Sequence, residues 1–138
     1  MVVSDFISLQ TKGFSDIIDI TSYVAAIVEG SKMKDGAVTV FCAGSTGAVT
    51  TIEYESGVLE DLKKAIERLA PSNISYAHDR RWGDGNGFAH VRAALVGPSL
   101  SIPVMNATLA LGTWQQIVFI DFDNRKRQRK IIVQLMGE

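Results

Sequence analysis

Apolar residues in this chain come in short bursts separated by Gly, Asp, Asn and Ser. That pattern predicts many short strands and few helices. Asp5 to Lys12 and Ser15 to Ile20 read as two strands, with Gly13 between them as the turn of a hairpin. Thr21 reads as the N-cap of a first helix, with Val24, Ile27 and Val28 as its stripe and Gly30 as its stop. Ala37 to Ala43 and Val49 to Glu53 are strands joined through Gly44-Ser45-Thr46-Gly47. Ser56 caps a second helix, in which Leu59, Leu62, Ile66 and Leu69 recur at helical spacing until Pro71. A third helix is predicted over Gly87 to Val96, with Phe88, Val91 and Leu95 facing the core and His90 turned away from them. Leu100 to Val104, a short piece at Leu109 to Leu111, and Ile117 to Phe122 complete the middle strands. A charged turn over Asp123 to Arg127 then leads into an antiparallel return strand, Lys130 to Met136.

Two runs break the alternation expected of a sheet with one wet face. Ile117 to Ile120 and Ile131 to Val133 are apolar at every position, so both faces are covered. A two-sheet sandwich covers one face. Three short helices cover little else, so burial against a second copy, hence a homo-oligomer, is expected.

A chain of 138 residues is one domain, 1–138, with room for a real core. Its net charge of −1 argues against nucleic acid as a partner. No apolar window is long enough for a membrane span, and the first residues lack a signal-peptide pattern. Cys42 is the only cysteine, which excludes an internal disulfide. A cytoplasmic location is the expectation from these three absences.

The densest chemistry lies between Tyr76 and Gly97. This stretch holds both histidines, His78 and His90, with Asp79, Asp84, Asn86, Arg80, Arg81, Arg92 and Trp82 among several glycines. Gly, Asp and Asn tolerate sharp backbone turns, so such a loop draws polar groups together. Either histidine suits general acid–base work, because its proton equilibrium lies near neutrality. His78, His90 and Glu53, with Asp79 or Asp84 as alternatives to Glu53, offer nitrogen and oxygen donors for a divalent metal, Zn or Mg. The hydroxyls of Ser45 and Thr46, flanked by glycines, suit a phosphate or other anion. Arg80, Arg81 and Arg92 can fork onto one. Trp82 and Trp114 are candidates for stacking on a flat ring, with core packing as the plain alternative. Cys42 reads as an inert core thiol, and the basic run from Arg125 to Lys130 as a solvated turn.

Several phrases occur together and in order: Gly44-Ser-Thr-Gly-Ala-Val-Thr-Thr-Ile-Glu53, the Tyr76–Gly97 stretch, Leu100-Ser-Ile-Pro-Val104, Leu109-Ala-Leu-Gly-Thr-Trp-Gln115 and Val133-Gln-Leu-Met-Gly-Glu138. In these the chain resembles the YjbQ-like family over nearly its whole length. The resemblance implies an α+β fold built on a β-sandwich, with three copies around a threefold axis and a weak thiamine-phosphate synthase activity. It adds Thr113, Trp114 and Gln115 to the substrate-binding candidates. The chain departs from the family pattern where Gly44 and Phe88 stand in place of histidines. Together these readings predict a β-sandwich of about seven or eight mostly antiparallel strands with three short helices. The expected function is a small enzyme for a phosphorylated small molecule. The alternative is a non-catalytic oligomer that binds an anion, a metal or a metabolite.

Overall fold

A computed structural model describes Met1 to Glu138. The strands are β1 (Val2–Thr11), β2 (Asp16–Asp19), β3 (Gly36–Cys42), β4 (Gly47–Ile52), β5 (Ser99–Met105), β6 (Thr108–Leu109), β7 (Gln116–Asp121) and β8 (Arg127–Gly137). The helices are α1 (Thr21–Ser31), α2 (Ser56–Leu69), α3 (Ala77–Trp82) and α4 (Gly87–Val96). All strand pairings are antiparallel, in two sheets of order β1-β8-β3-β5-β6 and β2-β7-β4. The α+β sandwich expected from the sequence is present. It carries a fourth helix, α3, which is short and has no apolar stripe to announce it.

The smaller sheet is the middle layer. On β7, Ile117 and Phe119 pack against the larger sheet with Val38, Val40, Ile131, Val133 and Leu135. Val118, Ile120 and Phe122 point the other way, onto Ile66 of α2 and Phe88, Ala89 and Ala93 of α4. Both faces of the all-apolar run are therefore covered within one chain, by a sheet on one side and helices on the other. The run itself does not call for a second copy. Helix α1 adds Val24 and Val28 to the inter-sheet core. No helix is long and apolar enough to cross a membrane.

Several local expectations are corrected. β1 and β2 do not form a hairpin about Gly13: β1 pairs with β8, and β2 with β7 in the other sheet. Gly13, Phe14 and Ser15, all at positive φ, carry the chain from one sheet to the other. A Cβ on Gly13 would lie 2.5 Å from the Arg125 carbonyl oxygen and 2.6 Å from that of Asp123, so only glycine fits. The return strand β8 is antiparallel, but to β1 and β3 rather than to β7. Thr21 does not cap α1. Ile20 holds that position, and the Thr21 hydroxyl instead accepts the Ile117 N–H at 2.8 Å. The helix runs past Gly30 and ends with Lys32 in the left-handed region. Ser56 is the first residue of α2, and the Glu55 carboxylate before it takes the Gly57 N–H. On α4 the buried face is Phe88, Ala89, Arg92 and Ala93, whereas Val91 and Leu95 are 40% and 60% exposed. The helix lies close on β4, and small alanines rather than bulky side chains permit that approach.

Candidate functional site

Helix α3 and the loop after it place His78. Gly83 ends α3 in the left-handed region, its N–H donating to the Asp79 carbonyl at 2.7 Å. Asp84 Oδ1 accepts the Asn86 N–H at 3.2 Å, and Asp79 Oδ1 accepts the Gly87 N–H at 2.8 Å. Asp79 thus holds the start of α4 from the neighbouring helix. Gly87 allows the contact, since a Cβ there would meet the Tyr76 Cβ at 2.5 Å.

This frame brings His78 Nδ1 to 3.3 Å from Asp84 Oδ1 and 3.8 Å from Asp79 Oδ1. The nitrogen is buried yet makes no hydrogen bond of good geometry. The His90 ring stacks on the His78 ring, centroids 4.3 Å apart and planes tilted by 38°. One ligand atom from each of His78, Asp79 and Asp84 lies within 4.8 Å of the others. The edge of a tetrahedron with zinc-type arms is about 3.4 Å, close to both measured separations. The donor set fits a zinc-like ion with open positions. It differs from the expected trio of His78, His90 and Glu53, because His90 and Glu53 lie outside it.

Asn86 joins this cluster to a second one that the sequence reading passed over. Its side-chain amide donates to Asp123 Oδ2 at 3.3 Å, and its oxygen accepts the Asn124 N–H at 3.1 Å. Asp123 Oδ2 also accepts from the Thr46 hydroxyl at 3.0 Å and from Arg127 Nε at 3.1 Å, with Arg127 Nη2 in ion-pair contact at 3.0 Å. Beside it, Arg129 grips Asp121 with two hydrogen bonds, Nε to Oδ2 at 2.8 Å and Nη2 to Oδ1 at 2.9 Å. Arg129 Nη2 also donates to Thr46 Oγ1 at 2.7 Å, and Thr11 donates to Asp121 Oδ2 at 2.6 Å. Both aspartates are buried. Two members of the basic run are therefore internal ion partners rather than a solvated turn. The signal was available: Arg127, Arg129, Ile131, Val133 and Leu135 are spaced by two, hence on one face.

Burial of Asp123 favours its protonated form, but the Arg127 guanidinium and the Thr46 and Asn86 hydrogen bonds outweigh it. The carboxyl is held below the usual carboxylate range. A depressed folded-state value stabilises the fold at any pH above the unfolded value, about 3.9. That contribution is lost as pH falls through the lower folded value. Thermal melts are expected to drop steeply below about pH 4, and less steeply in Asp123→Asn, because the neutral amide no longer titrates.

The other predicted residues separate. Ser45 is exposed at the loop while Thr46 is buried in the ion network. Glu53 sits at the far end of β4, about 20 Å away along six strand residues. There it shares a groove with Asp19, Thr113 and Trp114. Gln115 is anchored beside it, donating to the Thr51 hydroxyl at 3.1 Å. Trp114 and Trp82, 73% and 65% exposed, are not core residues. Arg92 faces away from His90, two residues earlier on the same helix, and is buried. It donates to the Ala70 carbonyl at 2.9 Å, to Ser15 Oγ at 3.2 Å and to the Glu67 carboxylate. Cys42 is buried, and desolvation pushes its thiol upward, so it is inert.

Residues 5–138 match the family model described as "UPF0047 protein YjbQ-like". The chain belongs to the YjbQ-like family. A UPF0047 protein of Archaeoglobus fulgidus is 42% identical over 130 residues, covering 94% of this chain and 98% of the relative. One from Methanothermobacter thermautotrophicus is 37% identical over 137 residues, covering 99% and 94%. Among solved structures, a YbjQ-like protein of unknown function from Sulfolobus solfataricus superposes with a TM-score of 0.94 at 34% identity, over 100% of this chain and 99% of that one. The YjbQ-like fold and its extent over the chain are thereby established.

Proposed function

We propose that this YjbQ-like protein is a small enzyme acting on a phosphorylated small molecule, with His78 as its acid–base group. The observation that supports this most is the His78 nitrogen, set between two carboxylates and backed by the His90 ring. Carboxylates beside an imidazole fix its orientation. The same pair would repel a phosphate. Cations in the site therefore matter, and Arg80 and Arg81 lie on the His78 helix. Asp79 and Asp84 would hold a divalent ion, with the His78 nitrogen beside them left free to carry the proton. When bound, the ion would polarise a phosphoryl oxygen and offset the two negative charges. A thiamine-phosphate synthase-like transfer is the specific reaction to test first.

The test is a mass-spectrometric screen of purified protein against phosphate and pyrophosphate metabolites, thiamine precursors included, with added Zn²⁺ or Mg²⁺. Turnover is expected, and His78→Ala is expected to lower it by about 10²–10⁴-fold. Turnover unchanged in His78→Ala and His90→Ala would overturn the assignment.

A second reading is a non-catalytic oligomer that captures an anion or metabolite between copies. The outer face of the larger sheet favours self-association. Phe6, Ile132 and Phe41 stand in register across β1, β8 and β3, with Phe6 50% and Phe41 37% exposed. Val2 and Met136 form a second exposed apolar pair on the same face. Assembly would also be the way to bring the Glu53–Trp114 groove near a neighbour's His78. Light scattering of the eluted protein is expected to give a trimer, and Phe6→Glu/Phe41→Glu a monomer. A monomeric native protein would remove this reading.

A further inference from the structure

A group of unused hydrogen-bond donors lies on the other side of the loop that carries Asp84. A cleft of about 450 Å³ opens there between α2, α4 and the turn at Gly13–Ser15. Phe88 lines it from the core, and Phe14, 66% exposed, stands at its rim. Arg92 and Ser15, 4% and 6% exposed, lie inside.

The bonding around these side chains is one-sided. The Glu67 carboxylate is already taken, by Arg92, by the Ser72 N–H at 3.0 Å and by the Ser72 hydroxyl at 3.0 Å. Ser15 Oγ accepts from Arg92, and its own hydrogen goes to no protein group. Arg92 makes one hydrogen bond from each nitrogen, so two of its five N–H hydrogens are unused. Lys63, on the α2 wall, has no carboxylate within ion-pair reach. The Asn124 amide gives one hydrogen to the Asp84 carbonyl at 2.8 Å and keeps the other, along with its oxygen. Lys63 and Arg92 against Glu67 leave one positive charge over. A strained backbone shapes the wall: Phe14 and Ser15 sit at φ +53° and +63°, where residues other than glycine are uncommon.

We propose that this cleft is a binding site for a small organic anion, a carboxylate or phosphate head on a flat apolar body. The head would take the Ser15 and Arg92 hydrogens with Lys63 above it, and the body would lie between Phe14 and Phe88. Ring-flanked pockets with a few convergent polar groups are the usual form of a small-molecule site. The proposal is independent of the role given to His78. It also explains why Arg92 is kept charged and buried while only part of its bonding capacity serves the fold.

The experiment is an amide and Arg Nε–H nuclear magnetic resonance titration of the full chain with benzoate, phenyl phosphate and the neutral isostere benzamide. Saturable shifts are expected at Ser15, Lys63, Phe88, Asn124 and Arg92 with at least one anion, and affinity at least ten-fold weaker for benzamide. Lys63→Glu and Ser15→Gly, the latter easing the positive φ while removing the hydroxyl, should each weaken the anion at least ten-fold. His78→Ala should leave it unchanged. Shifts that do not saturate at these residues, equal binding of benzamide, or loss of binding in His78→Ala would each overturn the proposal.

Discussion

Arg129→Met is expected to lower the stability of the fold by about 3–5 kcal/mol, measured by urea denaturation at neutral pH. Arg129 is the counter-charge of a fully buried Asp121, held by two parallel hydrogen bonds. Methionine fills much of the same space but leaves the carboxylate with only the Thr11 hydroxyl and the Asp123 N–H. A buried charge without its partner costs more than the pair contributes. Thr46 loses a donor as well, and through Asp123 the loss reaches Asn86 at the start of α4. For a domain whose total stability is about 5–15 kcal/mol, such a loss threatens folding at growth temperature. Adding Asp121→Asn to Arg129→Met should restore most of it, because the uncompensated charge is then gone. Arg129→Lys should not, since one ammonium cannot make both bonds. If the double variant were no more stable than Arg129→Met, the ion pair would not be what holds this end of the sandwich.

Local pattern carried the elements well and their partners poorly. The strands stood out because β-branched runs between turn residues leave few alternatives. Gly13 looked like a hairpin turn because a glycine between two strands carries no mark of which sheet each strand joins. The answer lay in residues far away, β8 for one strand and β7 for the other. The face of α4 was misjudged because a wheel weighted by bulk picks Val91 and Leu95, whereas contact with β4 selects Ala89 and Ala93. Helix α3 has six residues and no apolar stripe, so periodicity could not find it. Its caps, Tyr76 and Gly83, give no side-chain signal beyond the glycine.

The candidate site divides along the same line. His78, Asp84, Asn86 and His90 are near one another in sequence, and a turn-rich loop brings them together. Glu53 and Trp114 join them only by residue type, as a carboxylate donor and a flat ring, and within one chain β4 holds Glu53 at a distance. The Arg129–Asp121 pair was readable from the alternation in β8, but a cluster of basic residues beside a turn looks like a solvated surface. Arg92 was named for phosphate binding. It is committed on one side to Glu67, Ser15 and Ala70, with the cleft on the other.

Strand β7 offers the second large effect, because its neighbouring residues support different halves of the molecule. Phe119→Ala and Ile120→Ala are expected to cost about 3–5 and 2–5 kcal/mol respectively. Phe119 faces the larger sheet. Its ring occupies the space a Cβ on Gly47 would need, at 2.7 Å, and it lies beneath the Arg129 guanidinium at 5.9 Å. Truncating it opens a cavity between the sheets and loosens the ion network. Ile120 faces the helices with Phe88 and Ala89, so truncating it loosens α4 and, through Asp79 and Gly87, the seat of His78. Amide hydrogen exchange separates the two. Phe119→Ala should speed exchange in β3, β4 and β8 first, and Ile120→Ala in α4 and α3, with the strands of the larger sheet still protected. Identical exchange patterns in the two variants would mean the layers open as one unit. The helix layer could not then be relaxed apart from the sandwich, and the His78 and Arg92 sites would be as rigid as the core.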